Sequence, residues 1–230
     1  MEGRTYIRRQ GRVTRAQARS LAEHLEGYRI PDGASLDVAR LFGRPGPLAL
    51  EIGFGMGHGL LAYAGAHPET NCIGAEVYRP GIGALVTSLV REGIDNVRIF
   101  EGDARILLRE RLPERSLDEV MIYFPDPWPK KRHHKRRLVE PGFVSLIASR
   151  LAPDGRLLLA TDWEAYALQM LAVLEAEPAL VNDAGAGQYA QRPPERPLTR
   201  FEARGLRLGH RVWDLAFTRR QTNSATTESR

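Results

Sequence analysis

Between Leu48 and Ala160 the chain carries short apolar runs at Leu48–Ile52, Cys72–Ala75, Val97–Phe100, Leu117–Phe124 and Arg156–Ala160. Each is followed by a stretch with apolar residues at helical spacing, at about Gly57–Ala66, Pro80–Glu92, Ala104–Leu112, Pro141–Leu151 and Glu164–Glu177. Runs that are apolar throughout, rather than alternating with polar residues, predict strands covered on both faces. Strands alternating with helices imply right-handed crossovers, so the pattern predicts an α/β fold: a doubly wound, mostly parallel sheet with helices on both faces. Two further stretches, Arg204–Leu206 and Trp213–Arg219, predict a C-terminal antiparallel hairpin at one sheet edge. In such a fold the ligand crevice lies beyond the carboxyl ends of the strands, so the residues just after each run carry the functional information.

The ends of the chain read differently. Arg4, Arg8, Arg9, Arg12, Arg15 and Arg19 stand against a single acid, Glu2, and a Gly- and Pro-rich stretch from Gly27 to Pro47 follows. Residues 1–46 are therefore expected to be a basic arm and linker, residues 47–220 the folded domain, and the polar residues 221–230 a disordered tail. The net charge of +5 adds modest support for a polyanionic partner. No apolar run reaches the roughly 18 residues of a membrane span, and the arginine-rich start lacks a secretory apolar stretch, which predicts a cytoplasmic protein without a membrane partner. Cys72 has no partner for an internal disulfide and sits in an apolar-leaning run, so it reads as a buried structural thiol. His133 and His134 lie within a run of cations that would repel a divalent ion, so no metal site is expected.

Glu51-Ile52-Gly53-Phe54-Gly55-Met56-Gly57-His58-Gly59 follows the first predicted strand and opens a helix, a context in which glycines let a ligand approach the backbone. Dinucleotide folds use a related loop, and Glu76, an acid at the end of the second strand, suits a ribose diol in either case. Glu51 directly before the glycines, together with Glu101-Gly102-Asp103 after the third strand, resembles the class I methyltransferases. That resemblance implies S-adenosylmethionine as cofactor, with Glu51 and Gly53 at its amino-acid end, Gly55 also binding it, Glu76 at the ribose, and Asp103 and Ala104 at the adenine. Electrostatics agrees: acids beside the loop suit a sulfonium and an ammonium group and would repel a pyrophosphate.

After the fourth run comes Tyr123-Phe124-Pro125-Asp126-Pro127-Trp128-Pro129, then Lys130-Lys131-Arg132-His133-His134-Lys135-Arg136-Arg137. The prolines stiffen the backbone around Asp126, and Phe124 and Trp128 offer flat faces for an unstacked base. A carboxylate only accepts hydrogen bonds, and the Watson–Crick edge of guanine presents two donors, so Asp126 favours guanine. The following run, six Lys or Arg and two His in eight residues, suits phosphates.

The segment Phe124–Arg137 resembles the signature of the bacterial tRNA (guanine-N7-)-methyltransferases, and Thr161-Asp162 and Thr199-Arg200-Phe201-Glu202 resemble further motifs of that family. The resemblance extends from about Leu48 to Arg219. It implies methyl transfer to N7 of a variable-loop guanosine in tRNA, with Asp126 as the catalytic residue, which also faces the cofactor. Lys130, Asp162, Thr199, Arg200, Phe201 and Glu202 would contribute to the substrate pocket, and Arg132, His133, His134, Lys135, Arg136 and Arg137 would touch RNA. The residues leave open whether the chain is a monomer or a homodimer. Other readings are an amine-directed nucleic-acid methyltransferase, against which Asp126 argues, a binding-only RNA protein, and a nicotinamide oxidoreductase.

Overall fold

The computed structural model describes residues 11–193, 196, 198, 202 and 211–221. Its sheet has seven strands in the order β3-β2-β1-β4-β5-β7-β6. These are β1 (Leu48–Ile52), β2 (Asn71–Glu76), β3 (Val97–Glu101), β4 (Leu117–Tyr123), β5 (Leu151–Thr161), β6 (Leu180–Asn182) and β7 (Trp213–Arg219). Strands β1 to β5 pair in parallel, whereas β7 runs antiparallel to both β5 and β6. The expected antiparallel C-terminal edge is thus present, with β6 as its outer strand; Arg204–Leu206 lies outside the described residues. Every residue of β1 and β2 is buried, as continuous apolar runs at the sheet centre require.

The helices are α1 (Arg15–Tyr28), α2 (Val38–Phe42), α3 (His58–Ala66), α4 (Arg79–Glu92), α5 (Ala104–Ile106), α6 (Pro141–Arg150) and α7 (Glu164–Glu175). One core, built on Leu50, Ile73, Leu107, Phe143, Ile147 and Tyr166, packs α5, α6 and α7 on one face of the sheet. The second, built on Leu60, Ile82, Leu85, Leu89, Met121 and Leu158, packs α1, α3 and α4 on the other. Cys72 is fully buried, and burial pushes its thiol up to about 12, consistent with a structural role.

The reading of residues 1–46 as arm and linker needs correction. From Arg15 to Tyr28 the chain is a helix with a capping box: Thr14 Oγ1 accepts from the Gln17 amide, and Gln17 Oε1 accepts from the Thr14 amide. Leu21, Leu25 and Tyr28 recur at helical spacing and join the core on the α4 side, so the arginines occupy only the outer face. After this helix the Ile30 amide donates to the Ile99 carbonyl and covers the free edge of β3. Within the expected linker, Asp37 caps α2 by accepting from the Arg40 amide. Residues 1–10 and 222–230, where the start of the arm and nearly all of the tail were expected, lie outside the described residues.

The helix expected over Ala104–Leu112 also differs. It begins as one α-helical turn and widens to a π-helical turn at Leu107–Arg111. The wider turn accompanies burial of Arg111, whose guanidinium donates to the carbonyls of Ala34 and Pro31. Among the described residues no helix is long and apolar enough to cross a membrane, and no group of three or more His, Cys, Asp or Glu residues could hold a metal ion.

Candidate active site at the carboxyl ends of the strands

Strand order decides which loops meet. The strands are laid down outward from β1 to β3 and then, from β4 on, in the opposite sense across the sheet, so that β1 and β4 are parallel neighbours. The glycine loop after β1 and the Asp126 loop after β4 therefore leave the sheet side by side, at its topological switch point.

In the glycine loop, Gly53, Gly55 and Gly57 have φ values of 72°, 56° and 79°, a region that favours residues without a Cβ. A Cβ on Gly53 or Gly55 would meet open space, so this backbone is open on that side rather than packed. Close packing comes from below: a Cβ on Gly81, in the first turn of α4, would lie 2.0 Å from the Gly55 carbonyl oxygen. Helix α4 thus supports the loop at a distance that only glycine permits.

Glu51 is buried, and its Oε2 is an interior polar atom without a hydrogen-bond partner. Gly59 leaves room for this carboxyl, since a Cβ there would lie 3.0 Å from Glu51 Oε1. Desolvation, and then the neighbouring Glu76 carboxylate, push the Glu51 carboxyl up to about 8. Glu76 is held more tightly. Its Oε2 accepts from the Gly55 amide at 2.7 Å, and its Oε1 accepts from the amides of Val77 at 2.7 Å and Tyr78 at 2.9 Å. Because a carboxylate offers about four lone-pair positions, these backbone donors fix Glu76 and still leave acceptor capacity. Asp103 caps α5 by accepting from the Arg105 amide at 2.9 Å, and Ala104 beside it is buried.

The loop after β4 is strained at both ends. Phe124 and Trp128 adopt φ values of 51° and 44°, uncommon for aromatic residues, and bracket Pro125-Asp126-Pro127. Asp126 itself is exposed. The loop is tied down from several directions: the Phe124 amide donates to the Ala160 carbonyl, and Arg137 Nε donates to the Pro127 carbonyl at 2.8 Å. Arg136 lies over the Trp128 ring, with 5.1 Å between guanidinium carbon and ring centroid, and His133 meets the same ring edge-on.

The basic run divides accordingly. Lys130, Lys131, Arg132 and Lys135 are exposed on and beside a 3-10 turn over Lys131–Arg136. Partial desolvation and the Arg136, Arg132 and Lys130 cations hold His133 below the ordinary imidazole range, so it adds little charge at neutral pH. Arg137, expected to touch RNA, is 4 % exposed; it lies over Tyr166, bonds Gln169 and serves as an internal strut of the loop. Thr161 ends β5 and Asp162 follows it, half-buried at the same rim, with Trp163 beside it 41 % exposed. Of the Thr199–Glu202 group, Thr199, Arg200 and Phe201 lie outside the described residues, and Glu202 is buried against Arg196.

Across 216 residues, 94 % of this chain and 94 % of the relative, the sequence is 51 % identical to a tRNA (guanine-N(7)-)-methyltransferase of Methylococcus capsulatus. A namesake from Aromatoleum aromaticum is 54 % identical over 94 % of this chain and 83 % of its own length. The chain belongs to the tRNA (guanine-N(7)-)-methyltransferase family. A family model described as "Putative methyltransferase" matches residues 45–215. The solved structure of the 16S rRNA methyltransferase KamB superposes with a TM-score of 0.60 at 14 % identity, covering 85 % of this chain and 98 % of that one. This likeness bears out the expected doubly wound methyltransferase fold.

Two features of this family member's site escaped the sequence reading. Arg196 and Asp214, a buried ion pair, lie 18 residues apart, with only Asp214 on a strand, β7. The one available signal was an arginine held between prolines, Pro193 and Pro197, just ahead of Thr199. Trp163 follows the Thr161-Asp162 pair directly, and its position after a strand was itself the cue.

Proposed function

We propose that this chain transfers the methyl group of S-adenosylmethionine to N7 of a guanine in tRNA, the variable-loop guanosine 46 by family resemblance. The observation that carries the proposal is the adjacency of the β1 and β4 loops, which sets the acid-lined glycine turn beside the Asp126 loop. The chain's own groups fit the cofactor. Glu51 offers an unpartnered interior carboxyl oxygen for its cationic amino-acid end, Gly53 and Gly55 leave the approach open, and Glu76 keeps acceptor capacity for a ribose diol. Asp103 and Ala104, after β3, would border the adenine.

The cofactor supplies an electrophilic methyl group on a sulfonium. Guanine N7 carries a lone pair and no proton, so attack needs no general base, and alignment is the main service the protein can render. Asp126 accepts from the N1–H and exocyclic amine of guanine, holding the base so that N7 faces the methyl group. Lys130, Asp162 and the Thr199–Glu202 group complete the pocket. Arg132, Lys135 and Arg136, with His133 and His134, flank the tRNA backbone, while Arg137 holds the loop from inside. Residues 47–220 form the catalytic unit, and α1 extends it.

The test is methylation of unmodified tRNA with labelled S-adenosylmethionine, followed by borohydride and aniline cleavage, which cuts at 7-methylguanosine. Cleavage at one variable-loop position is the expected result. Label without cleavage would overturn the N7 assignment, and no label would overturn the transferase reading.

A further inference from the structure

Arg196 belongs to none of the motifs assigned above, yet its side chain is 2 % exposed and fully engaged. Nη1 and Nη2 donate to the two carboxylate oxygens of Glu202 at 2.8 and 2.7 Å. Nε and Nη2 donate to those of Asp214 at 2.9 and 3.2 Å. The guanidinium carbon also lies 5.4 Å from the Phe124 ring centroid and 5.7 Å from that of Tyr123. Its own carbonyl accepts from Arg192 Nη2 at 2.8 Å, and the Asp214 carbonyl accepts from the Ala190 amide.

Two carboxylates and one guanidinium in the interior are a poor route to stability, because desolvation offsets most of the attraction. Such clusters are best accounted for by geometry: a planar fork that satisfies two carboxylates fixes their relative position as an ammonium cannot. Here the fork joins Glu202 of the Thr199–Glu202 motif, Asp214 of β7, and the aromatic residues at the root of the Asp126 loop. Phe124 is strained, and a cation over its ring favours one orientation of it.

We infer that Arg196 is a positioning residue of the guanine pocket: it holds Glu202 and Asp214 in fixed relation to the Phe124 ring, at the root of the loop that carries Asp126. The inference rests on the proposed function. The hydrogen bonds and ring contacts described for Arg196 go to Glu202, Asp214, Tyr123, Phe124 and Arg192, and none to Glu51, Glu76 or Asp103, so its loss acts on the base and not on the cofactor.

The experiment compares the unaltered chain with Arg196→Lys and Asp214→Asn. Lysine keeps the charge and loses the fork; asparagine, on β7, loses one charge partner and leaves the arginine in place. Expected for Arg196→Lys is a kcat for methyl transfer to tRNA lowered by about tenfold or more, as misplacement of a reacting group produces, with KM for tRNA and Kd for S-adenosylmethionine each within about threefold. Asp214→Asn should show the same split, and it carries the test should Arg196→Lys fail to fold. A fall in kcat smaller than that, or a loss of cofactor affinity parallel to the loss of turnover, overturns the inference and leaves the proposed function standing. Absence of transfer by the unaltered chain removes both.

Discussion

Glu51 allows the sharpest test of the cofactor site, because its burial makes opposite predictions for stability and for binding. Its carboxyl is pushed up to about 8 from an ordinary 4.5, by desolvation first and the Glu76 carboxylate second. Between those two pH values the folded chain holds a proton that the unfolded chain has released. Stability therefore falls as pH rises through this window, and by pH 8 the loss attributable to Glu51 approaches roughly 4 kcal/mol as an upper bound, at about 1.36 kcal/mol per tenfold change in proton affinity. Glu51→Gln keeps the shape and removes the titration. At about 2–4 °C per kcal/mol for a chain of this size, and with half the upper bound retained after relaxation, the variant should melt roughly 4–8 °C higher at pH 8 without cofactor, while the two proteins converge near pH 5. Binding should go the other way. A cationic ligand end favours the ionised carboxylate, so cofactor binding at pH 7 should release a proton and tighten as pH rises towards 8, and Glu51→Gln should abolish that release. Melting curves from pH 5 to 8.5, and calorimetric titrations in two buffers of different ionisation enthalpy, measure both. Parallel melting profiles for the two proteins, or a variant less stable at pH 8, would refute the argument from burial.

Three other perturbations follow from the same geometry. Asp126→Asn replaces an acceptor oxygen with a donor facing two donors of guanine; turnover should drop about 100-fold or more with cofactor Kd nearly unchanged, and near-normal turnover would sink its role in orienting the base. Replacing Lys130, Lys131 and Arg132 with alanine should weaken tRNA binding and reduce the slope of log K against log salt by about 2, read from filter binding at several salt concentrations; an unchanged slope would exclude phosphate contacts there. Gly81→Ala places a Cβ against the Gly55 carbonyl, where backbone faces backbone and neither can swing aside. A loss of roughly 1–3 kcal/mol in denaturant unfolding, with weaker cofactor binding, is expected, and an unaffected cofactor Kd would show that α4 does not support the loop.

What was legible in the sequence was whatever a contiguous stretch encodes. Buried strands announce themselves as unbroken apolar runs, and β1 and β2 are buried at every position, so their places and direction followed. The Asp126 segment was legible for the same reason: prolines, aromatics, acid and cations are consecutive. Helix α1 was hidden although its signals were present, Thr14 and Gln17 as capping box and Leu21, Leu25 and Tyr28 as apolar face, because the arginines among them dominated the composition. Strand β6 is only three residues long and has no pattern of its own. Arg137 could not be told from its cationic neighbours, since its interior position depends on Pro127, Tyr166 and Gln169 across the fold. The same holds for Arg196 and Asp214: a loop residue and a strand residue brought together by the tertiary fold leave no local trace.

The strain in the Asp126 loop also makes sense once the chemistry is considered. An aromatic residue held at positive φ costs about 1–2 kcal/mol, and this loop contains two, Phe124 and Trp128, one on each side of Pro125–Pro127. Unfavourable backbone persists only where its surroundings over-determine it, and here they do: the Ala160 carbonyl holds the Phe124 amide, Arg137 holds the Pro127 carbonyl from within, and Arg136 and Arg196 lie over the Trp128 and Phe124 rings. A reaction at a proton-free nitrogen gives a side-chain base nothing to remove, so rate must come from holding N7 in line with carbon and sulfur. On the proposed function, rigidity is then the catalytic resource, and a loop stiffened by prolines and strapped by buried arginines would supply it.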